Sequence, residues 1–155
     1  MVHDVQALMD HVGADSVDVV GYSMGSRTSA RLVPLEPRVH GLVLGGVGGR
    51  LGEERRRTNS GVVADALEAG DPGTVADPVA RAFRAFADRT GADRLALAAL
   101  QRSPVGEKVE QDKIAVPTLI LTGDRDTLVG SPKALAAKIP GASGQGDQRR
   151  PPERG

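Results

Sequence analysis

The sequence predicts an α/β fold built on a parallel sheet. Three observations carry that reading. Helix-like and strand-like patterns alternate through the first 45 residues, and the alternation resumes after residue 115. The second strand-like run, Gly41 to Gly45, is apolar without alternation, as parallel strands are. A chain of 155 residues suffices for one domain and is short for two.

Taken in order, Val2, Val5, Leu8, Met9 and Val12 recur at helical spacing, and Gly13 stops that helix. Val17-Asp18-Val19-Val20-Gly21-Tyr22 reads as the first strand. A helix from Met24 to about Leu32 follows a tight Gly-Tyr-Ser-Met-Gly turn, and Pro34 and Pro37 end it. Gly41-Leu42-Val43-Leu44-Gly45 is the second strand. From Gly46 to about Glu110 the chain changes character. Helical patterns run near 61–69, 75–89 and 92–102, with Phe83 and Phe86 one turn apart on the second. An all-helical insertion between parallel strands reads as a lid. Val116 to Thr122 is the third strand, and Gly123-Asp124-Arg125-Asp126 is the loop after it. Ser131 caps a helix that has Pro132 at its first position and runs to Ile139. The tail ASGQGDQRRPPERG has almost no apolar residues and reads as disordered.

Composition excludes several functions. The 20 basic and 20 acidic residues cancel, which leaves no electrostatic footprint for nucleic acid or an anionic membrane. Without cysteine there is no disulfide, thiolate metal site or cysteine nucleophile. The three histidines are too scattered to predict a metal site. Gly46-Val47-Gly48-Gly49-Arg50-Leu51 fails the dinucleotide-binding pattern at its last position. No apolar run is long enough to span a bilayer. The opening MVHDVQALMD has no basic segment followed by an apolar core, so the cytoplasm is the expected location.

Gly21-Tyr22-Ser23-Met24-Gly25 is G-x-S-x-G between a predicted strand and a predicted helix, the setting of a nucleophile elbow. Such a turn holds its serine in a strained conformation above the carboxyl ends of the strands. Gly21 and Gly25 are expected to avoid collisions with the neighbouring elements. The Met24 backbone N–H points where an oxyanion would form.

VDVVGYSMGS, VHGLVLGG and VPTLILTGDRDTLV, in that order, resemble an α/β-hydrolase over residues 1 to about 141. The resemblance implies a serine hydrolase acting on a carboxylic ester or related acyl bond, with no cofactor and a small-molecule substrate. Ser23 would be the nucleophile, Met24 N–H an oxyanion donor, and Asp126 the acid of the triad, with Asp124 as the alternative. Thioester and peracid chemistry stay open, because the elbow does not encode the substrate.

Two departures from the family pattern set further expectations. The strands that carry the other oxyanion donor would precede residue 2, and the catalytic histidine would follow one more strand after the helix at 131–139. The family often shows G-D-H there; this chain reads Gly146-Asp147-Gln148 in an otherwise polar tail. His3 and His11 fall on the first helix, and His40 at the amino-terminal edge of the second strand. The expected architecture is therefore a partial α/β-hydrolase sheet of three strands, truncated at both ends. Residues 1–49 and 106–141 form the core, 50–105 a helical cap, and 142–155 a disordered tail. The alternative function is a catalytically inactive fragment or pseudoenzyme. Open sheet edges, with one sheet face short of its helices, would favour self-association.

Overall fold

A computed structural model of the chain describes residues 1–51, 57–103, 109–126 and 128–147. The chain divides into two compact units, Met1–Glu53 with Val109–Gly155, and Glu54–Lys108.

The first unit holds the sheet. Its elements are α1 (Val2–His11), β1 (Val17–Tyr22), α2 (Met24–Leu32), β2 (Val39–Gly45), β3 (Thr118–Gly123), α6 (Pro132–Ala136) and β4 (Ala142–Asp147). The strands lie in the order β1-β2-β3-β4, and every pair is parallel. Inward-facing Leu42, Leu44 and Ile120 meet Ala30 and Leu32 of α2 and Leu135 of α6, with Val2 and Val5 of α1 packed alongside. Burying aliphatic side chains of this size contributes about 1.5–3 kcal/mol each. All three helices of the unit feed one core, on one face of the sheet.

The fourth strand corrects the expectation of three strands and of a disordered tail from residue 142. Ala142 to Asp147 pair with Thr118 to Gly123 throughout. Residues 148–155 lie outside the described residues. The segment ASGQGD has neither β-branched nor aromatic residues, so propensity gave no signal. Backbone pairing with β3 supplies the stabilisation instead. Gly144 serves close packing: a Cβ there would lie 2.7 Å from the Pro132 carbonyl oxygen at the start of α6. Two boundaries also differ from the sequence reading. β2 begins at Val39, and α6 ends at Ala136, after which single turns carry the chain to Gly141 at φ 70°.

The second unit is helical, as the periodicity predicts: α3 (Arg57–Glu68), α4 (Pro78–Thr90) and α5 (Arg94–Arg102). Its helix ends are written locally. Asp77 accepts from Ala80 N–H with Pro78 at the first position, Asp93 accepts from Leu95 and Ala96, and Gly91 closes α4 at φ 65°. Its core is small, with Ala64, Ala80, Ala87 and Ala98 fully buried around Leu67. Arg84, also buried, donates to the Ala66 and Ala69 carbonyls at the end of α3 and pairs with Asp88 at 2.8 Å. Phe83 and Phe86 stay exposed outside this core, and Arg89 sits over the Phe86 ring at 5.9 Å.

Candidate active site

Parallel pairing puts the carboxyl ends of the strands on one edge, and the loops that leave that edge carry the candidate residues. Ser23 directly follows β1 and stands before the first residue of α2 at φ 52°, ψ −108°. It is the one non-glycine with positive φ among the described residues, and it is exposed. A conformation of this kind costs about 1–3 kcal/mol and persists only when its surroundings hold it.

Three contacts do the holding. The Ser23 N–H donates to the Gly45 carbonyl at the end of β2, at 2.8 Å. The Ser26 hydroxyl, fully buried, lies 2.8 Å from both the Gly21 and Gly45 carbonyls, so one proton is shared between two acceptors. Gly21 lets the helix approach: a Cβ there would lie 2.7 Å from Gly25 and Ser26 backbone atoms. Gly25 differs from the expectation, since a Cβ there meets no atom within 4 Å. The close approach is made by the Gly25 backbone, so only Gly21 needs to lack a side chain. Met24 opens α2, and its N–H has no acceptor within the helix, as holds for any first-turn amide.

Asp126 lies in the loop after β3 and is half-buried. Its N–H donates to the Gly123 carbonyl at 3.1 Å, and its Oδ1 accepts from Leu128 N–H at 2.8 Å. That local turn fixes the carboxylate. Asp124, two residues earlier, is exposed. β2 separates β1 from β3, so the roots of Ser23 and Asp126 stand two strand spacings apart, roughly 10 Å. A further support lies in the glycine run after β2. Gly49 and Arg50 N–H donate to the Ser131 and Val129 carbonyls, and a Cβ on Gly48 would collide with the Gly130 carbonyl. The loop after β2 is thereby laced to the loop that carries Asp126. Ser26 and Gly48 were missed in the sequence, where a small residue announces no partner.

The three histidines do not reach this edge. His40 is the second residue of β2, about 16 Å of strand from its carboxyl end. His11 ends α1, six residues before Val17, which opens β1 and pairs with Val39. His3 bonds Gln6 at 3.1 Å, and Gln6 reaches the Leu35 carbonyl and Glu36, just ahead of β2. Among the described residues no group of three or more His, Cys, Asp or Glu could hold a metal ion. No helix among them is long and apolar enough to cross a membrane.

No family model and no curated protein matches the chain. Solved structures do. A hydrolase from Pseudomonas aeruginosa is 24% identical with a TM-score of 0.69, over 94% of this chain and 61% of that one. An enol-lactonase from Burkholderia xenovorans is 21% identical with a TM-score of 0.68, over 94% and 62%. An alpha/beta hydrolase enzyme from a Medee basin deep-sea metagenome library is 17% identical with a TM-score of 0.66, over 94% and 61%.

This chain has the α/β-hydrolase fold in part.

It spans about three fifths of the length of those neighbours. Within the α/β-hydrolase fold, β4 stands where the sequence reading placed no strand. Gly146 and Asp147 close β4 at the carboxyl edge. The next residue in sequence is Gln148, which lies outside the described residues.

Proposed function

We propose that the chain belongs to a serine-dependent acyl hydrolase. Ser23 attacks the carbonyl of a carboxylic ester or related small acyl compound. Met24 N–H holds the oxyanion, and Asp126 orients a histidine that takes the serine proton and returns it to the leaving group. Water then releases the acyl group by the same route in reverse. The observation that carries the reading is the strained Ser23 at a strand-to-helix turn, since an ordinary serine turn has no need of φ 52°. Neighbours described as a lactonase and a hydrolase are compatible with this chemistry.

A second reading is favoured by a specific observation: none of the three histidines lies near the Ser23 edge. This chain by itself then lacks the general base and is catalytically inactive, because triad members act as a unit. One experiment separates the readings. Hydrolysis of p-nitrophenyl acetate is followed for the wild type, Ser23→Ala, Gln148→His and the double variant. Equal wild-type and Ser23→Ala rates are the expected outcome. Gln148→His should raise the rate by about 10–100-fold, a fraction of what a complete triad supplies, and the double variant should lose that gain. Wild-type turnover at hydrolase-like rates that Ser23→Ala abolishes would remove the inactive reading. A Gln148→His gain that survives in the double variant would remove Ser23 as nucleophile.

A further inference from the structure

We propose that Arg50 is a positioning residue for the Asp126 carboxylate, acting through Leu128. The proposal rests on the acyl-hydrolase reading for its catalytic use, since Asp126 is the acid of that reading, but not for its geometry. The Leu128 N–H donates to Asp126 Oδ1 at 2.8 Å. Oδ2 accepts no hydrogen bond among the described residues and is the oxygen left for an imidazole N–H. Which way that oxygen points depends on where Leu128 sits. Burial does not hold Leu128 in place, because it is 57% exposed.

Arg50 does the holding, at three consecutive residues. Its Nη1 donates to the Leu128 carbonyl at 2.9 Å, and its backbone N–H donates to the Val129 carbonyl at 3.2 Å. Its Cγ lies 3.5 Å from where a Cβ on Gly130 would stand, so the aliphatic stem runs along a residue that has no side chain. The backbone bond fixes the root of the side chain and the Gly130 contact fixes its stem. Little rotamer freedom is then left to lose when the guanidinium meets Leu128. The donor is charged, which strengthens a bond to a carbonyl. Asp124 and Asp126 both offer carboxylates in the loop after β3, yet Arg50 makes no ion pair among the described residues. Its side chain is used on a backbone carbonyl, which fixes shape, and not on a counter-charge. The other end of the grip is firm: Gly49 N–H donates to the Ser131 carbonyl at 2.9 Å, and Lys138 Nζ donates to the Gly49 carbonyl at 3.3 Å. Asp124, exposed and two residues before Asp126, lies outside this clasp.

NMR on the 155-residue chain tests this without turnover. Three-bond couplings from Asp126 Cγ to its backbone N and carbonyl carbon report the χ1 rotamer, and the wild type should show one. Arg50→Met keeps the stem and removes the donors of the side chain. Asp126 should then average between rotamers, and amide exchange at Leu128 should rise at least about fivefold. Exchange at Leu42, whose N–H donates to the Pro117 carbonyl within the sheet, should stay within about twofold. A general loss of stability would raise both amides alike. Arg50→Lys supplies one donor for the one carbonyl and should restore the single rotamer. If Arg50→Met unfolds, Arg50→Ala is read in the same way. Rotamer averaging in the wild type, a single rotamer kept in Arg50→Met, an equal rise at Leu128 and Leu42, or averaging as free in Arg50→Lys as in Arg50→Met would each overturn the proposal. The acyl-hydrolase reading is tested by the turnover of the Ser23 variants and the Arg50 role by couplings that need no turnover, so either can fail alone.

Discussion

The two edges of the sheet solve opposite problems. At the amino edge, Arg38 pairs with Glu36 at 2.7 Å and Asp10 at 2.8 Å and donates to the Ala14 carbonyl, while its own carbonyl accepts from Val17 N–H. Glu36 is buried and also accepts from Gln6, and the Arg38 guanidinium holds its carboxyl down at about 2. At the carboxyl edge a non-glycine residue is bent out of its ordinary range instead, Ser23 at φ 52°, whereas positive φ at the amino edge falls on the glycines Gly13 and Gly141. Side chains at the carboxyl edge, Ser23 and Asp124 among them, face water. One edge spends its polar groups on each other. The other keeps them exposed and is held by backbone contacts from behind.

The largest expected effect breaks the carboxyl edge. Gly21→Ala forces a methyl into the Gly25–Ser26 peptide and should cost about 3 kcal/mol in urea unfolding, because neither backbone segment can move without unpinning the elbow. Gly25→Ala, in the same motif, should instead gain up to about 1 kcal/mol, since its site is open and alanine is the better helix former. If the two substitutions cost the same, the elbow is not held by the close approach at Gly21.

The next effect lies at the amino edge and depends on pH. A folded-state pKa of about 2 against an ordinary 4.5 means that the Glu36 contribution is complete above 4.5 and is lost as pH falls toward 2. The wild-type urea midpoint should therefore drop across that window, and Glu36→Gln should flatten the drop while lowering the midpoint at neutral pH. A slope unchanged in the variant would place the acid sensitivity elsewhere.

The smallest effect sharpens the contrast. Ser23→Gly removes the side chain that makes φ 52° unfavourable and should raise stability by about 1 kcal/mol while removing the hydroxyl. Destabilisation by Ser23→Gly would mean that the serine side chain, and not the surrounding backbone, holds the turn.

Part of this molecule follows from residues that act on their near neighbours in the chain. The elbow turn, the capped helices at Asp77, Asp93 and Ser131, and the apolar runs of β1, β2 and β3 all belong to that part. Each needs only residues within a few positions of itself: a side-chain oxygen two or three residues before the amides it caps, or a short run rich in Val, Leu and Ile. β4 does not belong there, because Ala-Ser-Gly-Gln-Gly-Asp becomes a strand only when β3 offers a backbone ladder and Pro132 demands a glycine opposite. Nor do Ser26 and Gly48, whose partners Gly45 and Gly130 come from other segments of the chain. The tertiary structure decided those features. Backbone pairing, close approach and exposure are properties of two segments at once, and a single segment's composition carries no record of the other.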